Sequence, residues 1–177
     1  MLVAHSMFGG LAARFAARTL ALRALVIYAA PAVATYRMPI GLLLAAIRFG
    51  IRPSQRNLER FAEWVFVPPE PSRRPDREWL EALLAYVLAC AKLAHVRRTM
   101  RQLIGVGKKR IPDEELRRIT IPTALLWGRQ DRMVPLRLAE DAHARLGWPL
   151  YVVDDVGHVP HVDRPELFLR ALRDALA

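Results

Sequence analysis

With 177 residues and 53% apolar side chains, the chain can bury one sizeable core, and its composition excludes a disordered segment. A single cysteine, Cys90, excludes an intramolecular disulfide. The longest uncharged runs, such as Ala24 to Tyr36, hold 13 residues against the roughly 20 of a membrane-spanning helix. The net charge of +10 is uneven: residues 1–110 carry 18 basic and 6 acidic side chains, residues 111–177 carry 9 and 11. Such an excess can attract anionic substrates, membrane surfaces or nucleic acid. An arginine-rich solvated face is the simpler expectation.

In chain order, Met1 to His5 reads as a short apolar strand and Ser6 follows at once. Gly9 and Gly10 then open a helix through Leu11, Ala12, Phe15 and Ala16. A serine between strand and helix has two readings. It is an ordinary N-cap, or it sits on a sharp turn that lifts its hydroxyl clear and aims the Met7 N–H at an incoming anion.

Ala24 to Ala29 reads as a buried strand, since a continuous apolar run suits a parallel strand covered on both faces. A helical segment should follow. Pro39 to Phe49 forms a short apolar helix with Gly50 at its end. Ser54 caps the next, with Leu58, Phe61 and Val65 at helical spacing. P-P-E-P-S-R-R-P is a stiff loop, after which Asp76 caps a long helix with Leu80, Leu83, Leu84, Val87 and Leu88 on one stripe. Cys90 in that run is expected to be a buried, inert thiol. His95 has no metal-ligand partner at a useful spacing. G-V-G-K-K-R closes the segment as a basic turn, because it lacks the context of a phosphate loop.

The last third alternates strands and helices. Asp113 starts a short helix ending near Arg117 and Arg118. Ile121 to Trp127 is a strand, and Gly128 opens the loop that holds Asp131. Pro135 begins a helix that Gly147 ends. Leu150 to Val153 is a strand, and His158 lies in the loop beyond it. Asp163 should cap the final helix, with Glu166 completing a capping box. Strand–helix alternation implies α/β architecture with a parallel sheet of about four strands.

Three segments, A-H-S-M-F-G-G, L-L-W-G-R-Q-D-R-M-V-P and D-V-G-H-V-P-H-V-D-R-P-E-L-F, together resemble the α/β-hydrolase family. Serine, acid and histidine stand in that family's chain order. The resemblance implies a catalytic triad of Ser6, Asp131 and His158, with the Met7 backbone N–H as an oxyanion donor. Asp154 and Asp155 lie too close to His158 in sequence to match the family's acid. His161 is assigned to loop packing and His5 to the place just before the nucleophile, neither to chemistry. The domain division implied is 1–34 as hydrolase core, 35–107 as an inserted helical cap, and 108–177 as the rest of the core. The expected activity is cleavage of an ester or related acyl bond of an apolar small molecule. No cofactor or metal is implied, no nucleic acid is expected as partner, and the expected setting is cytoplasmic.

Two departures from the family stand out. Ala4 and Phe8 replace the glycines of G-x-S-x-G, and Phe8 implies either a shifted elbow or an aromatic wedged beside the site. The family also reaches its serine after about five strands, whereas this chain reaches it at residue 6. It therefore resembles the C-terminal part of a longer hydrolase, either a fragment or a reading frame with a late start, with nothing to supply the second oxyanion donor. Self-association through an exposed sheet edge is then expected. The alternatives are a non-catalytic remnant that binds a ligand or partner, and a basic module binding nucleic acid or membranes through Arg97, Arg98, Arg101, Lys108, Lys109 and Arg110.

Overall fold

The computed structural model describes residues 1–19, 21–67, 77–107 and 109–177. Taken along the chain, β1 (Leu2–His5) leads into α1 (Met7–Ala16) and β2 (Leu25–Tyr28). A short 3₁₀ turn (Pro31–Val33) follows, then α2 (Ile40–Ile51), α3 (Gln55–Val65), α4 (Arg77–Lys92) and α5 (Ala94–Gly107). The chain continues with α6 (Asp113–Leu116), β3 (Thr123–Gly128), α7 (Arg137–Leu146), β4 (Leu150–Val153), α8 (Pro160–Asp163) and α9 (Pro165–Asp174).

The four strands form one parallel sheet in the order β1-β2-β3-β4, with Val3 opposite Val26, Ile27 opposite Leu125 and Trp127 opposite Val152. Every residue of β2 and β3 is buried, as continuous apolar runs require. Each large side chain there, Ile27, Leu125, Leu126 and Trp127 among them, contributes on the order of 1.5–3 kcal/mol by leaving water. Because the strands are parallel, the residues after β1, β3 and β4 all emerge at one end of the sheet, where open α/β sheets place their sites.

Small residues let α1 lie close to the sheet. A Cβ on Gly9 would stand 2.6 Å from the Ala30 Cβ, and one on Gly10 would stand 2.7 Å from the Ala32 Cβ. Gly147 ends α7 in the left-handed conformation at φ 72°, which glycine adopts without steric cost. Half-buried Arg145 on α7 bonds Asp113 at 2.5 Å and the Val33 carbonyl at 2.7 Å, joining α6, α7 and the turn after β2.

Several boundaries differ from the sequence expectation. α1 starts at Met7 rather than at the glycines. α2 runs through Gly50 to Ile51, because nothing turns the backbone to the left-handed region at Gly50. Ile121 and Pro122 precede β3. Gly105 and Gly107 extend α5 rather than forming a turn. Asp163 does not cap α9, whose flanking residue is Arg164. Cys90 is half-buried. The proline-rich loop, the Asp76 cap and Lys108 lie outside the described residues. Ser54 does cap α3, accepting from the Asn57 N–H at 3.4 Å.

The helices between β2 and β3 are not simply apolar inward. The α4 stripe from Leu80 to Leu88 is half-buried, while Trp79 and Tyr86 are exposed. α2 is apolar on two sides: Leu42 and Ala45 are buried, whereas Ile40, Leu43, Leu44, Ile47 and Ile51 face solvent. Part of the basic cluster has local work. Arg97 donates to the Ala91 and Lys92 carbonyls, supplying the end of α4 with donors, and Arg110 pairs with Asp113. No single helix of the described residues is long and apolar enough to cross a membrane.

Candidate active site

Ser6 sits on the turn from β1 to α1 with φ 53° and ψ −127°, a conformation that costs a non-glycine residue strain. The backbone holds that strain through the Ser6 N–H bond to the Tyr28 carbonyl and the Gly9 N–H bond to the Ser6 carbonyl. The side chain makes no capping bond to α1, so the N-cap reading fails. The hydroxyl instead lies 3.0 Å from His158 Nε2, and His158 Nδ1 lies 2.9 Å from Asp131 Oδ2.

The three residues therefore form one hydrogen-bonded relay across the ends of β1, β3 and β4. Asp131 and His158 have side chains only 0% and 4% exposed, so solvent does not compete for the bond between them. Asp131 Oδ1 accepts from the Met133 and Val134 N–H groups at 2.9 and 2.7 Å, leaving Oδ2 free to accept from Nδ1–H. That bond places the other nitrogen, Nε2, without a proton and facing the serine.

The loop of Asp131 is anchored from outside. Trp127 Nε1 donates to the Val134 carbonyl at 2.8 Å, and the Tyr36 hydroxyl donates to the Met133 carbonyl at 2.6 Å. Burial raises the Tyr36 pKa to about 12, with Asp131 adding to the shift, so the phenol remains a donor throughout the neutral range. Trp127→Phe would leave the buried Val134 carbonyl without its donor. We expect a loss of about 1–3 kcal/mol in urea denaturation, with the midpoint shifted and the slope unchanged.

His5 does more than fill space. Its Nε2 donates to the His158 carbonyl at 2.8 Å, and its ring stacks on Tyr28 at 4.5 Å. Burial, reinforced by His158 and His161, lowers the His5 pKa to about 3, so the ring stays neutral and keeps its donor. The only local signal was its place before Ser6 at the end of an apolar strand, which does not reveal a bond to residue 158.

The other expected residues fall as follows. Met7 opens α1, so its N–H has no intrahelical acceptor. Phe8 is 51% exposed. Asp154 is on the surface in an ion pair with Arg129. His161 packs edge-on against His5 and Tyr28. Among the described residues no group of three or more His, Cys, Asp or Glu side chains is arranged to hold a metal ion.

The profile described as the alpha/beta hydrolase family matches residues 1–171. The chain belongs to the α/β-hydrolase family. Its four-stranded parallel sheet with surrounding helices is the corresponding part of that fold. A 62-residue stretch is 36% identical to an uncharacterized hydrolase, YugF, of Bacillus subtilis (strain 168), covering 34% of this chain and 23% of that protein. Among solved structures, the chain resembles the 2-hydroxy-6-oxo-6-phenylhexa-2,4-dienoate hydrolase of Rhodococcus sp. strain RHA1 at 20% identity and a TM-score of 0.77, covering 98% of this chain and 62% of that one. It also resembles a serine hydrolase of the polyaromatic-hydrocarbon-degrading bacterium Cycloclasticus zankles at 22% identity and a TM-score of 0.78, covering 97% and 62%. The chain thus spans about three fifths of the length of these solved hydrolases.

Proposed function

We propose that this α/β-hydrolase chain carries the nucleophile, base and acid of a serine hydrolase that cleaves an ester or related acyl bond of an apolar small molecule. The observation that carries this is the continuous relay from Ser6 Oγ through His158 to Asp131, at 3.0 and 2.9 Å. A serine hydroxyl is a weak nucleophile near neutral pH and needs a base within hydrogen-bond reach.

In the first half-reaction Ser6 Oγ attacks the carbonyl carbon as its proton passes to His158 Nε2. The imidazolium is stabilised by Asp131, whose own bonds to Met133 and Val134 hold it in place. The Met7 N–H, at the positive end of α1, faces the developing oxyanion. Collapse of the tetrahedral intermediate returns the proton from Nε2 to the departing alcohol oxygen and leaves an acyl-serine. Water then repeats the sequence: its proton goes to Nε2, its oxygen attacks the acyl carbon, and Ser6 leaves with the proton restored.

The helices of residues 35–107 act as the cap over this site, between the core segments 1–34 and 108–177. Their apolar composition suits an apolar acyl or aromatic substrate. The similarity to the Rhodococcus hydrolase, whose name contains a phenyl-bearing dienoate, agrees with that class. The test is hydrolysis of p-nitrophenyl esters of increasing acyl length by the wild-type chain and by Ser6→Ala. Turnover that depends on Ser6 is expected, and equal rates with both proteins would reject the proposal.

A further inference from the structure

The chain leaving α3, from Glu63 to Val67, is gripped by both loops that carry the relay. Arg132, beside Asp131, donates from Nη1 to the Glu63 carbonyl at 3.3 Å and lies 5.0 Å over the Trp64 ring. The His158 N–H donates to the Val65 carbonyl at 3.1 Å. Asp163, at the end of α8, closes the arrangement. Its Oδ2 accepts from the Gly157 N–H at 2.7 Å, and its carboxylate also accepts from the Val67 N–H. The fit is tight, since a Cβ on Gly157 would stand 3.1 Å from the Val65 carbonyl oxygen and 3.2 Å from Val67 Cγ2.

We propose that Asp163 is a positioning residue: its carboxylate pins the Val65–Val67 segment to the Gly157–His158 loop, so that the helical insertion between β2 and β3 and the imidazole facing Ser6 are held as one unit. This deepens the serine-hydrolase proposal and rests on it. One carboxylate joins two backbone segments that are remote in sequence, and its charge strengthens both bonds. Removing it leaves two N–H groups in a partly buried place without that acceptor. It also removes one restraint from the turn before His158, which the Val65 carbonyl, His5 and the Gln130 N–H bond to Val156 still hold in part.

The pin is sensitive to pH. Burial raises the Asp163 pKa from 3.8 to about 6, against the lowering effect of the Gly157 and Val67 N–H groups. Among the described residues, the titratable groups acting on it are Asp131, which raises the value, and His158, which lowers it. As pH falls through 6 the carboxyl takes up a proton and its bonds to the two amides lose their charge assistance. Global stability follows the opposite sign for this group. The folded chain binds the proton more tightly than the unfolded one, so ionising Asp163 between about pH 4 and 6 costs stability. The same linkage holds for an opening that hydrates the carboxyl, so its protonation below pH 6 carries no loss of local protection or of global stability.

The test measures Ser6 labelling by a fluorophosphonate between pH 5 and 8.5, and amide hydrogen exchange, for wild-type and Asp163→Asn chains. At pH 8 the variant should label about tenfold more slowly, the size expected for losing a charge-assisted hydrogen bond. Its deficit against wild type should narrow as pH falls through 6, where the wild-type carboxyl loses its charge. The Gly157 and Val67 amides should lose protection in the variant while those of β3 keep theirs. If the variant does not fold, wild type alone decides: the Gly157 and Val67 amides should both be protected at pH 8, as a shared acceptor requires. An unchanged labelling profile, one lowered equally at every pH, or unchanged protection at both amides would overturn the proposal. Protected amides with no labelling of wild-type Ser6 would instead overturn the serine-hydrolase reading, and the positioning role with it.

Discussion

Asp131→Asn is expected to lower ester turnover by about four orders of magnitude while leaving the fold in place. The amide oxygen can still accept from the Met133 and Val134 N–H groups, so the loop retains its anchors. The amide nitrogen then faces His158 Nδ1 and can only donate. Nδ1 must become the acceptor, Nε2 must carry the hydrogen, and the ring can no longer take the proton of Ser6. Comparing kcat on a p-nitrophenyl ester with the thermal midpoint separates the effects. A loss below tenfold, or a loss matched by unfolding, would remove Asp131 from the proposed mechanism.

Gly128→Ala should be the most damaging small change to the fold. The last residue of β3 lies against the loop after β4, and a Cβ there would stand 2.3 Å from the Gly157 carbonyl oxygen and 2.6 Å from that of Val156. Both obstacles are backbone, so no side chain can swing aside. The same loop is tied to β3's exit by bonds from the Arg129 N–H to Val153 and the Gln130 N–H to Val156. Separating them costs about 3 kcal/mol or more, and moves the turn on which His158 stands. Urea denaturation should show that loss together with a fall in turnover. A cost under about 1 kcal/mol would mean the close approach is easily relaxed.

What the sequence made legible follows from the range of the forces involved. Leu150 to Val153 is a compact apolar run bounded by Pro149 and Asp154, and the strand spans those same residues. Ser54 caps α3 because its partner is three residues away. Asp163 misled for the same local reason: an acid before a proline-started helix reads as a cap, yet its carboxylate turns back to Gly157. Gly50 looked like a helix end, but a glycine with ordinary dihedral angles does not stop a helix.

The candidate site was legible through chain order rather than through local physics. Ser6, Asp131 and His158 were picked out by their loops and by resemblance, and the structure brings them within hydrogen-bond distance. The supporting contacts were not. The bonds from His5 to the His158 carbonyl, from Tyr36 to Met133 and from Arg132 to Glu63 join positions with no spacing pattern between them. Backbone acceptors such as the Val65 carbonyl leave no mark on composition at all.

The most direct measurement of the central claim is the site of covalent modification by a fluorophosphonate, read by intact mass and peptide mapping. The wild-type chain should take up one phosphonyl group on the peptide beginning at Met1, at Ser6, and His158→Ala should label far more slowly. Absence of an adduct, or an adduct on another residue with Ser6 unmodified, would contradict the assignment of Ser6 as nucleophile.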